Sequence, residues 1–243
     1  NREFLSENKR RLYTEIAPAC REVSAVVGFV DFEAGRTGPD LQPIRYNAAA
    51  VIHRAEVVDT VHKRLLPAYR YFDDKRYFQP GRRVEPVRLD FSHGSISIGV
   101  LICEDLWDEG YELKPTEIYF KKGVELLLCI NASPFVSSAP GSRDGKRFQR
   151  QRKIRRQIEM FPVPIVYVNT VGVGDNGKNI IPFDGHSLAF DRRGELAAEL
   201  PQFREDLEVV RFNSGVSRQI EPAEFDRDGE IFDALSMSVR DYY

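Results

Sequence analysis

The sequence lacks any apolar run long enough to cross a membrane, since a spanning helix needs about 18 or more consecutive apolar residues. It also lacks an excess of either charge, because 35 lysines and arginines face 37 aspartates and glutamates, for a net charge of −2. Such a balance gives no general attraction to nucleic acid or to an anionic membrane. We therefore expect a soluble protein with neither nucleic acid nor membrane among its partners.

Cysteine and histidine are scarce and scattered. The three cysteines, Cys20, Cys103 and Cys129, are odd in number and form no C-x-x-C pair, and the four histidines show no metal-ligand spacing. This distribution argues against a disulfide framework and against a structural zinc. It suits a reducing compartment, so we expect a cytoplasmic protein with no metal in its active site.

What the chain does contain is an alternation of helical and strand patterns. Hydrophobic residues make up 42% of its 243 residues, as in an ordinary globular protein. The periodicity predicts a turn over 34–43, helices over 2–20, 116–122 and 147–159, and strands over 25–32, 46–53, 55–61, 87–91, 96–102, 124–130, 163–169, 186–191 and 196–199. Hairpins mixed with continuous apolar strands predict a layered α/β domain with a mixed sheet.

The most informative segment runs from Ser95 to Trp107. Its first half is apolar and β-branched, which predicts a buried strand, and the strand ends at Cys103, Glu104 and Asp105. Residues that handle ligands gather at the carboxyl ends of strands in open α/β sheets. A thiol on a tight turn there would be presented like the serine of a nucleophile elbow. A small buried cysteine is the alternative that residue type alone favours.

Two other predicted strands also end in polar residues. Lys63 opens a long loop, residues 61–81, whose five aromatic residues favour an ordered and functional loop. Asn131 and Ser133 follow the strand over 124–130. Together with Cys103, these strand ends predict one pocket at a sheet edge, although a solvated lysine is the simpler interpretation of Lys63 alone.

These residues carry a family resemblance. The segments HKRLLPAYRYFDDKRYFQPG, GVLICEDLW, INASPF and FDGHS resemble successive motifs of the nitrilase (carbon–nitrogen hydrolase) superfamily, in the family's order. More narrowly, they resemble the glutaminase domain of glutamine-dependent NAD synthetases. The resemblance implies an α/β fold, a nitrilase-like four-layer α-β-β-α sandwich with mixed sheets. It also implies a glutaminase domain over residues 1–225 and the start of a linker helix over 226–243.

The resemblance implies a role for each matching residue. Cys103 would attack the side-chain amide of glutamine, release ammonia and leave a thioester for water to cleave. Lys63 and the backbone N–H of Glu104 would stabilise the oxyanion, and Tyr69 and Ser133 would hold the glutamine. Asp74 is a candidate second carboxylate, because it stands where the family commonly has a glutamate.

The sequence departs from the family in its catalytic base. The family's base is a glutamate at the end of the first strand, and that strand has no counterpart in the sequence. Glu3, Glu7 and Glu15 on the predicted first helix are not expected to replace it. We expect the chain to begin after that strand and, on its own, to hydrolyse glutamine slowly or not at all.

The last residues, EIFDALSMSVRDYY, resemble the helix that leads to an ATP-dependent synthetase domain, whose SGGxDS loop is absent. The resemblance therefore implies no cofactor for the glutaminase step, and ATP and magnesium only in that synthetase domain. It implies glutamine, a synthetase domain of the same polypeptide and other copies in a homo-oligomer as partners. Two alternatives stay open, a stand-alone amidase for another small amide and a catalytically silent module.

Two further patterns suggest other functions. Gly172–Lys178 matches a phosphate-loop spacing, but the residues after it are not helical, so we predict a turn without nucleotide binding. The basic run from Arg143 to Arg156 suggests nucleic-acid binding, but Ile154 and Ile158 mark a core face. We predict a helix whose basic residues are solvated.

Overall fold

The computed structural model describes residues 2–38, 41–177, 179–212 and 224–242. The chain forms two compact units, one extending to Val124 and one beginning at Glu125. Both units combine helices with β-sheet, and β-strands pair in both parallel and antiparallel directions. The predicted α/β class with mixed sheets is therefore confirmed.

The first unit opens with a helix whose residues pack on a three-stranded antiparallel sheet. Leu12 and Ala17 of this helix form a buried cluster with Ala50 and Ile52 of the central strand. The elements, in chain order, are α1 (Arg2–Arg11), a π-helical turn (Leu12–Ile16), α2 (Ala17–Ala19), the sheet strands β1 (Ala25–Thr37), β2 (Pro43–His53) and β3 (Glu56–His62), then α3 (Asp74–Tyr77), the hairpin β4 (Val87–Phe91) and β5 (Gly94–Ile102), a 3₁₀ turn (Cys103–Leu106) and α4 (Pro115–Lys121).

The second unit is built on four strands in the order β11-β10-β7-β6, of which β6 and β7 are parallel. Its elements are β6 (Leu126–Asn131), α5 (Lys146–Met160), β7 (Ile165–Asn169), the hairpin β8 (Val171–Asp175) and β9 (Ile180–Asp184), β10 (Leu188–Phe190), β11 (Leu196–Glu199) and α6 (Arg227–Tyr242). Apolar side chains on these strands, such as Leu127, Ile165 and Phe190, are fully buried. The second unit thus has its own core.

The strand boundaries differ from the predicted ones at two turns. β1 continues to Thr37 and β2 begins at Pro43, so strands take up both ends of the predicted turn over 34–43. β8 takes up part of the predicted turn at Gly172–Lys178, and another strand, β9, follows it. The glycines at both places led to the prediction of turns instead of strands, because glycine is depleted in strands and favoured in turns.

The prediction that the basic residues of α5 are solvated holds for Arg152 and Arg156, which are exposed, and was wrong for three others. Arg147, Arg150 and Lys153, three residues apart, are all buried on the face that also carries Ile154. A buried cation is tolerated only where carboxylates or carbonyls receive its N–H groups. The residues that accept these N–H groups come from distant parts of the chain. The periodicity of α5 alone therefore could not show that its basic residues are buried.

One of these buried pairs joins Arg150 to Asp184. The two N–H arms of the guanidinium donate to the two carboxylate oxygens at 2.8 and 2.7 Å, and both side chains are fully buried. Arg150 also donates to the carbonyl of Ser133 at 2.8 Å, and Asn169 accepts the N–H of Ser133 at 2.8 Å. The ion pair therefore fixes the main chain just beyond β6.

A second buried network gathers around Glu199. One carboxylate oxygen of Glu199 lies 2.6 Å from Nε2 of His186 and accepts from Arg147 at 3.4 Å and from Gln151 at 3.2 Å. Burial lowers the pKa of His186, against the opposing effect of Glu199. We therefore describe His186 as a neutral ring that donates from Nε2.

Replacing Arg150 with alanine should destabilise the protein by about 3–5 kcal/mol, because it leaves the buried Asp184 carboxylate without its cation. Urea unfolding at neutral pH measures the change. Arg152, on the exposed face of the same helix, supplies the matched control, and Arg152→Ala should change stability by less than about 0.5 kcal/mol. Similar losses in the two variants would contradict this role of the ion pair.

His186 should make the protein less stable in mild acid. Its pKa is lowered in the folded state, so protons bind better to the unfolded chain, where the histidine pKa is about 6.5. The stability that neutral His186 contributes is present above that pH and is lost as the pH falls below it. His186 has a positive φ of 54°, which asparagine tolerates, so His186→Asn should weaken this loss between about pH 7 and about pH 5.

The measurement is the free energy of unfolding in urea at the two pH values. His93 is an exposed histidine in the β4–β5 hairpin, and His93→Asn should leave the pH dependence as in the wild type. A wild-type slope retained in His186→Asn would show that other groups cause it.

Candidate active site

The thiol of Cys103 lies on a tight turn at the end of β5, as predicted. The strand ends at Ile102, and the 3₁₀ turn begins at Cys103 itself. Cys103 has a φ of 49°, in the left-handed region that residues other than glycine rarely adopt. Such strain persists only where the surroundings hold it, and it concentrates at functional sites.

Lys63 follows β3 directly and is almost completely buried, with 4% of its surface exposed. Its ammonium donates to the carboxylate of Asp74, the first residue of α3, at 2.6 Å. Burial acts to lower the pKa of Lys63, but the charges of Cys103 and Asp74 outweigh it and raise the pKa above the usual value. Lys63 is therefore a permanent cation within electrostatic reach of the thiol.

Asp105 joins the segments that carry these two residues. One of its carboxylate oxygens accepts the backbone N–H groups of Arg64 and Leu65 at 3.0 and 2.8 Å, and the other accepts that of Ile102 at 3.1 Å. Burial raises the pKa of Asp105 to about 6, although the backbone donors and Lys63 oppose the shift. One buried carboxylate thus bonds to both the Lys63 and the Cys103 segments.

Glu104 is held by two phenols. Tyr69 donates to one oxygen of its buried carboxylate at 2.9 Å, and Tyr111 donates to the other at 3.0 Å. Burial and the charge of Glu104 raise the pKa of both tyrosines, that of Tyr111 to about 12. Both hydroxyls therefore remain protonated donors at neutral pH.

The structure brings five of the six predicted site residues together in the first unit. Hydrogen bonds link Lys63 to Asp74 and Tyr69 to Glu104, while Lys63 interacts electrostatically with Cys103. The sixth residue, Ser133, lies in the second unit and is buried. Its predicted contact with glutamine stays a prediction.

Two glutamates of the first helix form ion pairs with arginines of the same helix. Glu7 bonds to Arg10 at 2.6 Å, and Glu15 bonds to Arg10 and Arg11, all on the exposed face of the helix. That no glutamate of the first helix serves as the catalytic base stays a prediction.

Two residues of the site had no role in the sequence-based predictions. The role of Asp105 could have been recognised from its position. An acidic residue three positions after a helix cap often accepts the backbone N–H of the cap residue, and Asp105 does so with Ile102. The role of Tyr111 could not, because the segment around it shows no periodicity. Its contact with Glu104 spans seven residues of irregular chain.

Within the described ranges, no group of three or more His, Cys, Asp or Glu side chains is arranged to hold a metal ion. No helix of those ranges has the length and apolarity to cross a membrane. Cys20, Cys103 and Cys129 form no disulfide.

Sequence comparison identifies the family. The family model for carbon–nitrogen hydrolases matches residues 14–222. The glutamine-dependent NAD(+) synthetase of Acinetobacter baylyi is 36% identical over 201 residues, which are 82% of this chain and 34% of that protein. The enzyme of the same name from Synechocystis is 30% identical over 253 residues, 99% of this chain and 42% of that protein. The chain thus spans about two-fifths or less of the length of these relatives.

Solved structures agree with the sequence comparison. The glutamine-dependent NAD+ synthetase from Acinetobacter baumannii, solved with ADP, matches with a TM-score of 0.78 and 29% identity over 98% of this chain and 41% of that one. An amidase from Nesterenkonia sp. AN1 matches with a TM-score of 0.59 and 21% identity over 82% of this chain and 64% of that one, and supports the nitrilase-like fold alone. From the matched residues and the shared fold, the chain belongs to the carbon–nitrogen hydrolase family.

Proposed function

We propose that the full-length protein containing this chain hydrolyses the side-chain amide of glutamine through a thioester on Cys103. The observation that carries the proposal is the thiol on a strained turn within electrostatic reach of a buried, ion-paired ammonium. Glutamine is the proposed amide because similar proteins across most of this chain are glutamine-dependent NAD synthetases.

In the first half of the reaction, the thiolate attacks the amide carbon. The thiolate is the reactive form of cysteine, and the nearby cation of Lys63 favours it. The oxyanion that develops would accept hydrogen bonds from Lys63 and from the backbone N–H of Glu104, and one such donor contributes about 100- to 1000-fold in rate. The carbon–nitrogen bond then breaks, and the nitrogen takes up one proton, which balances the proton that the thiol lost, and leaves as ammonia.

In the second half, water attacks the thioester, releases glutamate and restores the thiol. Neither half needs a cofactor. We propose that the ammonia serves an ATP- and magnesium-dependent synthesis of NAD in a synthetase domain of the same polypeptide, since the relatives are named for that reaction.

Asp74 would keep Lys63 charged and correctly placed. Aspartate is one methylene shorter than the glutamate common in the family, yet its carboxylate reaches the ammonium at 2.6 Å. Asp74 also raises the pKa of Lys63. Both observations support a role in orienting the oxyanion donor.

Tyr69 would form part of the substrate site next to the thiol. Its hydroxyl is held by Glu104, the residue after Cys103, while about half of its surface, 47%, stays exposed. A ring fixed at one end and open at the other suits contact with a small substrate.

Cys103→Ser should abolish both glutamine hydrolysis and covalent labelling by an electrophilic glutamine analogue, because serine lacks an ionised nucleophile at neutral pH. Ammonia release measures the first and mass spectrometry of the intact protein measures the second. Cys20→Ser is the matched control and should behave like the wild type. Label found on Cys20 or Cys129 of the wild type would contradict the assignment.

Asp74→Asn should lower kcat for glutamine hydrolysis by about 10- to 1000-fold, because Lys63 loses its anion and its fixed position. Asp74→Glu should restore most of the rate. Asp73, its exposed neighbour, lies 3.9 Å from Arg76, and Asp73→Asn should leave the rate unchanged. Equal rates in Asp74→Asn and Asp73→Asn would exclude the orienting role.

A further inference from the structure

Asp105 takes no part in the proposed chemistry, yet it contacts the chain on both sides of the Lys63–Cys103 pair. We infer that Asp105 is a positioning residue, whose carboxylate holds the Lys63 ammonium against the Cys103 turn. The inference rests on the proposed function for its consequence in catalysis, but its geometry and its main test do not need glutamine.

The first link stabilises the turn. Oδ2 of Asp105 accepts the N–H of Ile102 at 3.1 Å, across the strained Cys103. This bond closes the turn from the residue before the thiol to the second residue after it. It therefore helps to keep Cys103 in a backbone conformation that cysteine would otherwise avoid.

The second link fixes the chain that carries Lys63. Oδ1 of Asp105 accepts the N–H groups of Arg64 and Leu65, the two residues after Lys63. The backbone of Lys63 itself bonds to Asn47 and Gly81, both at 2.8 Å. The main chain at Lys63 is thus held on one side by β2 and on the other by Asp105.

Only an ionised carboxylate satisfies all three donors. Its two oxygens both accept, whereas an asparagine amide has one acceptor and one donating nitrogen. In Asp105→Asn the oxygen can retain the bonds to Arg64 and Leu65, but the NH₂ group must then face the N–H of Ile102. The substitution keeps the shape of the side chain and breaks the link between the two segments.

The test is the pH dependence of Cys103 alkylation by iodoacetamide, followed by mass spectrometry of the Cys103 peptide. Asp105→Asn should raise the midpoint of this profile by about one pH unit, because the thiolate loses part of the stabilisation from Lys63. Lys63 and the titratable Tyr69 interact electrostatically with the thiol, and the carboxylates that interact with these two side chains are Asp74, Asp105 and Glu104. Loss of the Asp105 charge alone would favour the thiolate and lower the midpoint, so the direction of the shift separates the two effects.

A double-mutant cycle with Lys63→Met makes the test specific. In the Lys63→Met background, Asp105→Asn should no longer raise the midpoint, because the cation that it positions is gone. Asp59, whose carboxylate accepts the N–H of Thr60 at 2.7 Å in the same unit, gives the matched control Asp59→Asn, which should leave the midpoint unchanged. An upward shift of equal size with and without Lys63 would overturn the inference, as would a lower or unchanged midpoint in Asp105→Asn.

Glutamine hydrolysis provides the second readout. Asp105→Asn should lower kcat by about tenfold or more while KM changes little, because it displaces an oxyanion donor rather than the binding groups. A raised midpoint in Asp105→Asn, together with no glutamine hydrolysis by the full-length wild-type protein, would support positioning and reject the proposed function. Glutamine hydrolysis by the wild type, together with an unchanged midpoint in Asp105→Asn, would support the proposed function and reject the positioning role. If circular dichroism shows Asp105→Asn to be unfolded, Asp105→Glu should raise the midpoint in the same way, and an unchanged midpoint there would overturn the inference.

Discussion

The need to pair each buried positive charge with a carboxylate constrains both units of this protein. Moving an ammonium or guanidinium out of water costs several kcal/mol unless an anion and further hydrogen bonds replace the solvent. Lys63 meets this need through Asp74 in the first unit, and Arg150 through Asp184 in the second. In the first unit the result is a fixed cation near a thiol. In the second unit it is a fixed main chain at the end of β6.

Local patterns predicted much of the candidate site, while pairings across the chain escaped prediction. The apolar strand that ends in Cys103 and the polar residues after β3 and β6 can be recognised from a few consecutive residues. The partner of Arg150 lies 34 residues away, and no periodicity indicates it. Periodicity shows which face of α5 carries isoleucine. It does not show that arginines on the same face are buried, because the carboxylates that pair with them come from other elements.

Glu104 and Asp105 show how two adjacent acids acquire different roles. The carboxylate of Glu104 accepts two phenol hydroxyls, whereas that of Asp105 accepts three backbone N–H groups. The phenols belong to side chains, and the ring of Tyr69 is about half exposed although Glu104 itself is buried. Backbone donors belong to the main chain, so the bonds of Asp105 hold the segments that carry Lys63 and Cys103. The sequence places both acids beside Cys103, but only the surrounding donors distinguish them.

The electrostatics of Lys63 explain why its position should control reactivity more than its titration does. Its pKa is raised above the ordinary lysine value of 10.5, so it stays charged throughout the range in which an ordinary thiol, with a pKa near 8.5, loses its proton. A group that stays protonated cannot accept the thiol's proton, but it can stabilise the thiolate and then the oxyanion. Both effects fall with distance. Asp74 accepts from the ammonium and Asp105 bonds to the chain beside Lys63, so we propose that both control the reactivity of the thiol through the position of Lys63.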